Sequence, residues 1–262
     1  MGSKAEVYTF DEKRYSNVVV PALHDFLDRG VTAPWLGRLL SKIDWEFDFK
    51  NISSLNFRFA DVCRYLTPGF ASAIPDADWY SDWAPRSCKS RHCTALNVCP
   101  FHSSSRDAGY EDFNVLHEAT VADQCLGDHQ FVGRSMSPLD YEDILAGQGI
   151  ANDHVLWKLL LHLQYRGFVV GYQGSNSDGI HGWLTTQETT QLANELAALH
   201  LPEFEASFEA MALFETSGLG YRAPSSFTFE HLSLAFVRTV ATIAAEAGHG
   251  ILWGNDVILS RC

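Results

Sequence analysis

A chain of 262 residues, 46% apolar and 19% charged, is long enough to bury a sizeable core in one large domain or two modest ones. Its net charge of −13 opposes binding to a nucleic-acid backbone or an anionic membrane, and the sequence contains no unbroken apolar run of membrane-spanning length. The N-terminal MGSKAEVYTFDEKRY lacks the apolar centre of a secretory signal, so a cytoplasmic location is expected, with reduced thiols for the six cysteines.

The first 70 residues carry helical spacing. Ser16 is placed to cap a helix that runs to Arg29, with Val19, Leu23, Phe26 and Leu27 on one face and Gly30 closing it. Pro34 opens a second helix at its first turn. In FRFADVCRYLTPG, Phe59, Val62, Cys63 and Leu66 repeat at helical intervals, which puts Cys63 in the core, and Pro68 and Gly69 end the run.

Residues 70–110 have neither helical nor strand period, and a stretch of about forty residues is too long for an ordinary connection. Within it lies SCKSRHCTALNVCPFH, with the spacing Cys88-x4-Cys93-x5-Cys99-x2-His102 and His92 in reserve. Three thiolates and an imidazole fill a zinc tetrahedron, and a metal held this way supplies the folding free energy that the segment lacks as a core. Arg86, Lys89 and Arg91 would offset the charge of three thiolates. The expected role is structural, because a closed four-ligand site leaves no position for substrate; catalysis would need His102 turned away. An iron–sulfur cluster would have to borrow Cys63 or Cys125. The plain alternative is unligated or partly disulfide-bonded cysteines.

From residue 111 the pattern becomes regular again. DFNVLHEAT alternates loosely, as a strand does, and Ser137 with Pro138 marks a helix start. Leu156, Leu159, Leu160 and Leu163 make one face of a helix that stops at Gly167, and FVVGYQG suits a buried strand. Thr185 and Glu188 form a capping box ahead of Leu192, Leu196 and Leu199. Leu232, Phe236, Val240, Ile243 and Ala247 repeat that logic, and HGILWGNDVIL reads as a terminal strand. The sum is a helix-rich α+β protein with a small sheet and one irregular Cys/His-rich segment ordered by a metal. A helical N-terminal region, 1–110, and an α+β module, 111–262, are expected to pack as one globular unit.

GIHGWLTTQETTQLANELAAL, followed by LSLAFVRTVATIAAEAGHGILWGND, resembles the small bacterial YfbM-like proteins, a family of unknown function. The likeness covers at most residues 168–258: a G-x-L-T turn into a capped helix, a long helix, a Gly-rich stop and a short strand. It implies an interaction or immunity-type role and carries no active-site residues.

LHEATVADQCLGDHQ gathers His117, Glu118, Cys125 and His129, the residue types that move protons or act as nucleophiles near neutral pH. On a strand, His117 and Glu118 would face opposite sides, and Cys-x3-His in a loop is a weak nucleophile–base signature; a polar edge and loop is the bland account. His162 suits a helix boundary, and His231 the first turn of a helix. The expectation is a soluble bacterial-type binding or immunity-like protein with a structural zinc and an unidentified protein or small-molecule partner. The alternative is a metal- or cysteine-dependent enzyme acting on a small molecule or peptide near residues 88–129.

Overall fold

The structure, a computed structural model, describes residues 5–43, 108–133, 138–165, 179–203, 227–255 and 257. The architecture is α+β. It divides into two compact units, one drawn from Met1–Glu12, Leu126–Gly167 and Ile180–Asp256, the other from Lys13–Cys125, Phe168–Gly179 and Val257–Cys262.

The first unit is built on a four-stranded antiparallel sheet of order β2-β1-β4-β3, where β1 is Ala5–Phe10, β2 Leu126–Gly133, β3 Gly179–Leu184 and β4 Gly250–Asn255. β1 holds the interior position between β2 and β4, and its Val, Tyr, Thr and Phe are the side chains that suit a pleated, buried surface. Its pairing with β2 is irregular on either side of Glu6–Tyr8, whereas its pairing with β4 is continuous from Ala5↔Asn255 to Phe10↔Gly250. One face of the sheet, carrying Val7, Ile251 and Trp253, belongs to the main hydrophobic cluster. The helices over this core are α6 (Val155–Tyr165), α7 (Thr186–Ala197) and α8 (Phe229–Glu246); a short helix, α5 (Glu142–Gly147), follows a 3-10 turn at Pro138–Tyr141. The expected face of α6 is fully in the core: Leu156, Leu159, Leu160 and Leu163 are all buried. So are Leu192, Leu196 and Leu199.

Gly182 in β3 explains how closely the sheet and α6 approach. A Cβ at this position would sit 1.9 Å from the Leu163 carbonyl oxygen and 2.6 Å from that of His162. Only glycine fits against a backbone at that separation.

The second unit contributes a helical run. α1 (Glu12–Arg14) opens it, Tyr15–Val19 widens into a π-turn, α2 (Val20–Arg29) continues, and α3 (Pro34–Ile43) and α4 (Ala108–Cys125) follow. Pro21 accounts for the widening. It has no N–H to offer the carbonyl four residues back, and its ring would collide with that carbonyl in a regular helix. The turn before it opens instead, and Val20 N–H bonds Tyr15 O, five residues back. Ser16 therefore lies inside the helical run rather than at its cap. Gly30 ends α2 as expected, at φ 66°, with its N–H on Phe26 O and the Val31 N–H on Asp25 O. Pro34 opens α3, whose Leu36, Leu39, Leu40 and Ile43 are buried.

Residues 112–120, expected as a strand, are part of α4 instead. Every residue from Leu116 to Ala122 is buried, so no single polar face marks the helix in the sequence. Cys63, Ser137, Gly167 and the strand expected at 168–174 lie outside the described residues. Among the described residues, no helix is long and apolar enough to cross a membrane.

Candidate functional site

The expected zinc ligands Cys88, Cys93, Cys99 and His102 lie outside the described residues, as does His92. Among the described residues, no group of three or more His, Cys, Asp or Glu side chains is arranged to hold a metal ion.

The catalytic candidates fall on two elements. His117, Glu118 and Cys125 are on α4 and all buried, at 2%, 5% and 3% exposure. Successive helical residues point about 100° apart, so His117 and Glu118 diverge, and Cys125, at the end of α4, is about 12 Å further along the axis. The helix does not gather these three into one constellation. His129 is in β2, at the register position opposite Tyr8.

What His117 does meet is Tyr15, on the π-turn. The phenol oxygen is 3.1 Å from Nε2, and the rings stand edge to face with centroids 5.9 Å apart. With the ring proton on Nδ1, the Tyr15 hydroxyl donates to Nε2. Burial pulls the imidazole down to a pKa of about 4, so it is neutral at pH 7. The backbone is also engaged: the Thr120 hydroxyl donates to His117 O at 2.7 Å. At the rim of the same packing, Arg14 donates to Gln124 Oε1. A neutral, weakly basic imidazole suits a fixed hydrogen bond better than proton abstraction, which works best with a pKa near the operating pH. Tyr15 escaped the sequence reading because a helix capped at Ser16 would have excluded it. Pro21, five positions into that helix, was the available signal.

Two other polar groupings are buried in the first unit. His162, expected at a boundary, is 6% exposed on α6, with Nδ1 3.5 Å from Glu188 Oε1. Glu188 also closes the capping box of α7: its Oε2 accepts from the Thr185 N–H and hydroxyl at 3.0 Å each, and its own N–H donates to Thr185 Oγ1. One carboxylate thereby links the start of α7 to the last turn of α6. The same helix start receives the Glu12 carboxylate, which accepts from Thr186 N–H at 2.7 Å, where a negative charge suits the dipole. In β1, the Tyr8 hydroxyl donates to Glu6 Oε2 at 2.5 Å, both residues being buried.

At the start of α8, His231 does what its position suggested. Its Nδ1 accepts the Thr228 N–H at 3.2 Å, in the manner of a capping box. Burial lowers its pKa, opposed by the neighbouring Glu230 carboxylate.

Comparison of the chain with models of protein families, with curated proteins and with solved structures gives no match.

Proposed function

We propose that this is a soluble, cytoplasmic binding or immunity-like protein of bacterial type, whose segment 70–110 is ordered by a structural zinc on Cys88, Cys93, Cys99 and His102. The observation that carries the reading is the cysteine and histidine spacing inside the one long stretch without secondary-structure period. The buried histidines point the same way. His117 is tied to Tyr15 and His162 lies beside the Glu188 cap, roles that hold elements in place. Among the described residues, Val31 is the single large apolar side chain left exposed. From residue types alone, the acid- and aromatic-rich DADWYSDW, residues 76–83, is proposed either as the partner-binding segment, since Trp and Tyr carry binding energy well, or as the apolar cluster that packs over the metal loop. Its resemblance to YfbM-like proteins over residues 168–258 favours the same class.

Elemental analysis of the purified protein tests the proposal. One zinc per chain is expected, with loss of metal and a lower melting temperature on Cys93→Ser. Absence of stoichiometric metal overturns it.

The second reading, a metal- or cysteine-dependent enzyme with its site near residues 88–129, rests on the Cys, His and Glu residue types that this span of the sequence gathers. A cobalt-substituted protein separates the two. A spectrum of a closed tetrahedron of three sulfurs and one nitrogen supports the structural role, and one with an exchangeable solvent ligand supports the enzyme.

A further inference from the structure

Of the helices α6, α7 and α8, two begin on the lone pair of a histidine. His154, the residue before α6, accepts the Leu156 N–H on Nδ1 at 3.2 Å. His231, in the first turn of α8, accepts the Thr228 N–H on Nδ1 at 3.2 Å, and the Thr228 hydroxyl lies 3.0 Å from the same atom. A backbone N–H can only donate, so both Nδ1 atoms are unprotonated and each neutral ring carries its proton on Nε2. The oxygens of Ser, Thr, Asp or Asn, the usual residues at a helix start, still accept near neutral pH; an imidazole that gains a proton does not. A proton on Nδ1 sets a donor against a donor and puts a positive charge at the helix start, where the dipole opposes it. Both side chains are half-buried, within reach of solvent. By contrast, α7 is capped by the Thr185 hydroxyl and the Glu188 carboxylate, with no imidazole lone pair in the cap.

We propose that His154 and His231 form a pH-sensitive switch in the first unit: the neutral imidazoles hold the starts of α6 and α8, and protonation between about pH 7 and pH 5 releases both while α7 stays capped. Around His154 stand Asp153, its neighbour in the chain, and Glu195 of α7, whose Oε2 is 3.8 Å from Nε2, the atom that already bears the proton. Facing His231 are Glu230 of its own helix and His200, which follows α7. The 3-10 turn packed against α8 adds Asp140 and Tyr141, and burial keeps the Tyr141 phenol neutral. Burial lowers the His231 pKa, Glu230 opposes the shift, and His200 adds to it. Its hold on α8 is therefore complete above the ordinary 6.5 and is lost as pH falls through the lowered value. Phe227 lies between the two rings, its centroid 5.3 Å from that of His200 and 5.5 Å from that of His231. The His200 backbone is fixed by its N–H on Gln148 Oε1 at 2.6 Å, so charging both imidazoles adds repulsion at the start of α8. The switch is independent of the Cys/His segment and of the Tyr15–His117 pair.

NMR on the full chain tests the proposal without a ligand. Nitrogen–proton correlation spectra of the neutral rings should show the proton of His154 and His231 on Nε2. Hydrogen exchange at Trp157, whose N–H bonds His154 O, and at Leu232, whose N–H bonds Thr228 O, reports the two first turns. Corrected for the intrinsic effect of pH and referred to Thr189, whose N–H bonds Thr185 O in α7, exchange at both amides should rise about fivefold from pH 7 to pH 5, the factor that a lost cap corresponds to. His231→Gln and His154→Asn each supply an acceptor that does not titrate, so each variant keeps its cap and loses the response at its own helix alone. If one variant fails to fold, the other decides. A neutral ring protonated on Nδ1, or a response at Leu232 or Trp157 that persists in the matching variant, overturns the proposal.

Discussion

α4 and α8 are both 18 residues long, and each contains an unbroken buried stretch, but the two stretches differ in kind. In α8, Leu232–Val237 is apolar except for Ser233; in α4, Leu116–Ala122 includes His117, Glu118 and Thr120. Burying an apolar side chain stabilises without regard to direction, by about 25 cal/mol per Å². A buried polar group stabilises only if it finds its partner, and the same group left unsatisfied costs about 1–3 kcal/mol. The α8 region should therefore respond to changes of volume and backbone clearance, and the α4 region to changes of proton and hydrogen bond.

The largest effect is expected at Gly182, in the unit that contains α8. Gly182→Ala drives a Cβ into two backbone carbonyls that no side-chain rotation can move aside, and should cost about 3 kcal/mol or more. The same change at Gly37 in α3 meets only Thr32 Cγ2, at 3.6 Å, and should stabilise by about 0.5–1 kcal/mol. Urea unfolding of the two variants gives both signs in one measurement. Equal small effects would show that the sheet does not need its close approach to α6.

Next comes the pH dependence that α4 confers. His117 has a folded pKa of about 4, below its ordinary value of 6.5, so the unfolded chain binds the proton more readily. The stability this contributes is fully present above pH 6.5 and is lost as pH falls toward 4, by about 3 kcal/mol in all. Unfolding free energies at pH 7 and pH 4.5 should show the loss in the native chain and not in His117→Gln. Because desolvation causes the shift, Tyr15→Phe should lower stability by about 1–2 kcal/mol at both pH values and leave the pH dependence in place. A flat pH profile in the native protein would place water beside the imidazole.

The smallest effect belongs to the cap of α7. Thr185→Ala removes the hydroxyl that receives Glu188 N–H and should cost about 1 kcal/mol in the same assay. A loss several times larger would mean that the contact of Glu188 with His162 depends on the cap as well.

Local signals in the sequence translated well into structure. The capping box at Thr185 and Glu188, the left-handed Gly30 and the opening Pro34 each act within a few residues, so each is written where it operates. The leucine stripe of α6 is equally local. The failures share a cause in long-range burial. β1 has residues buried on both sides of the sheet, so AEVYTF shows no contrast between apolar and polar positions. From Leu116 to Ala122, α4 is buried round its circumference and loses its period for the same reason. His162 looked like a boundary residue because the carboxylate beside it sits on another helix. For the sites, composition pointed to His117 and Glu118 but could not show that α4 turns them apart, nor that a π-turn brings Tyr15 to the imidazole.

The position of β1 also bears on the order in which the chain assembles. Residues 5–10 are made before either of their partners, hydrogen-bonding to residues 126–133 on one side and 250–255 on the other. The entropy of closing so long a loop grows only logarithmically with its length, but contacts this distant in sequence slow the search for them. Until β4 arrives, β1 presents a bare edge with Val7, Tyr8, Thr9 and Phe10 along it, the type of surface that pairs with a second copy. Refolding should therefore compete with aggregation in a concentration-dependent way, and the docking of Gly250–Asn255 is the step that ends the competition.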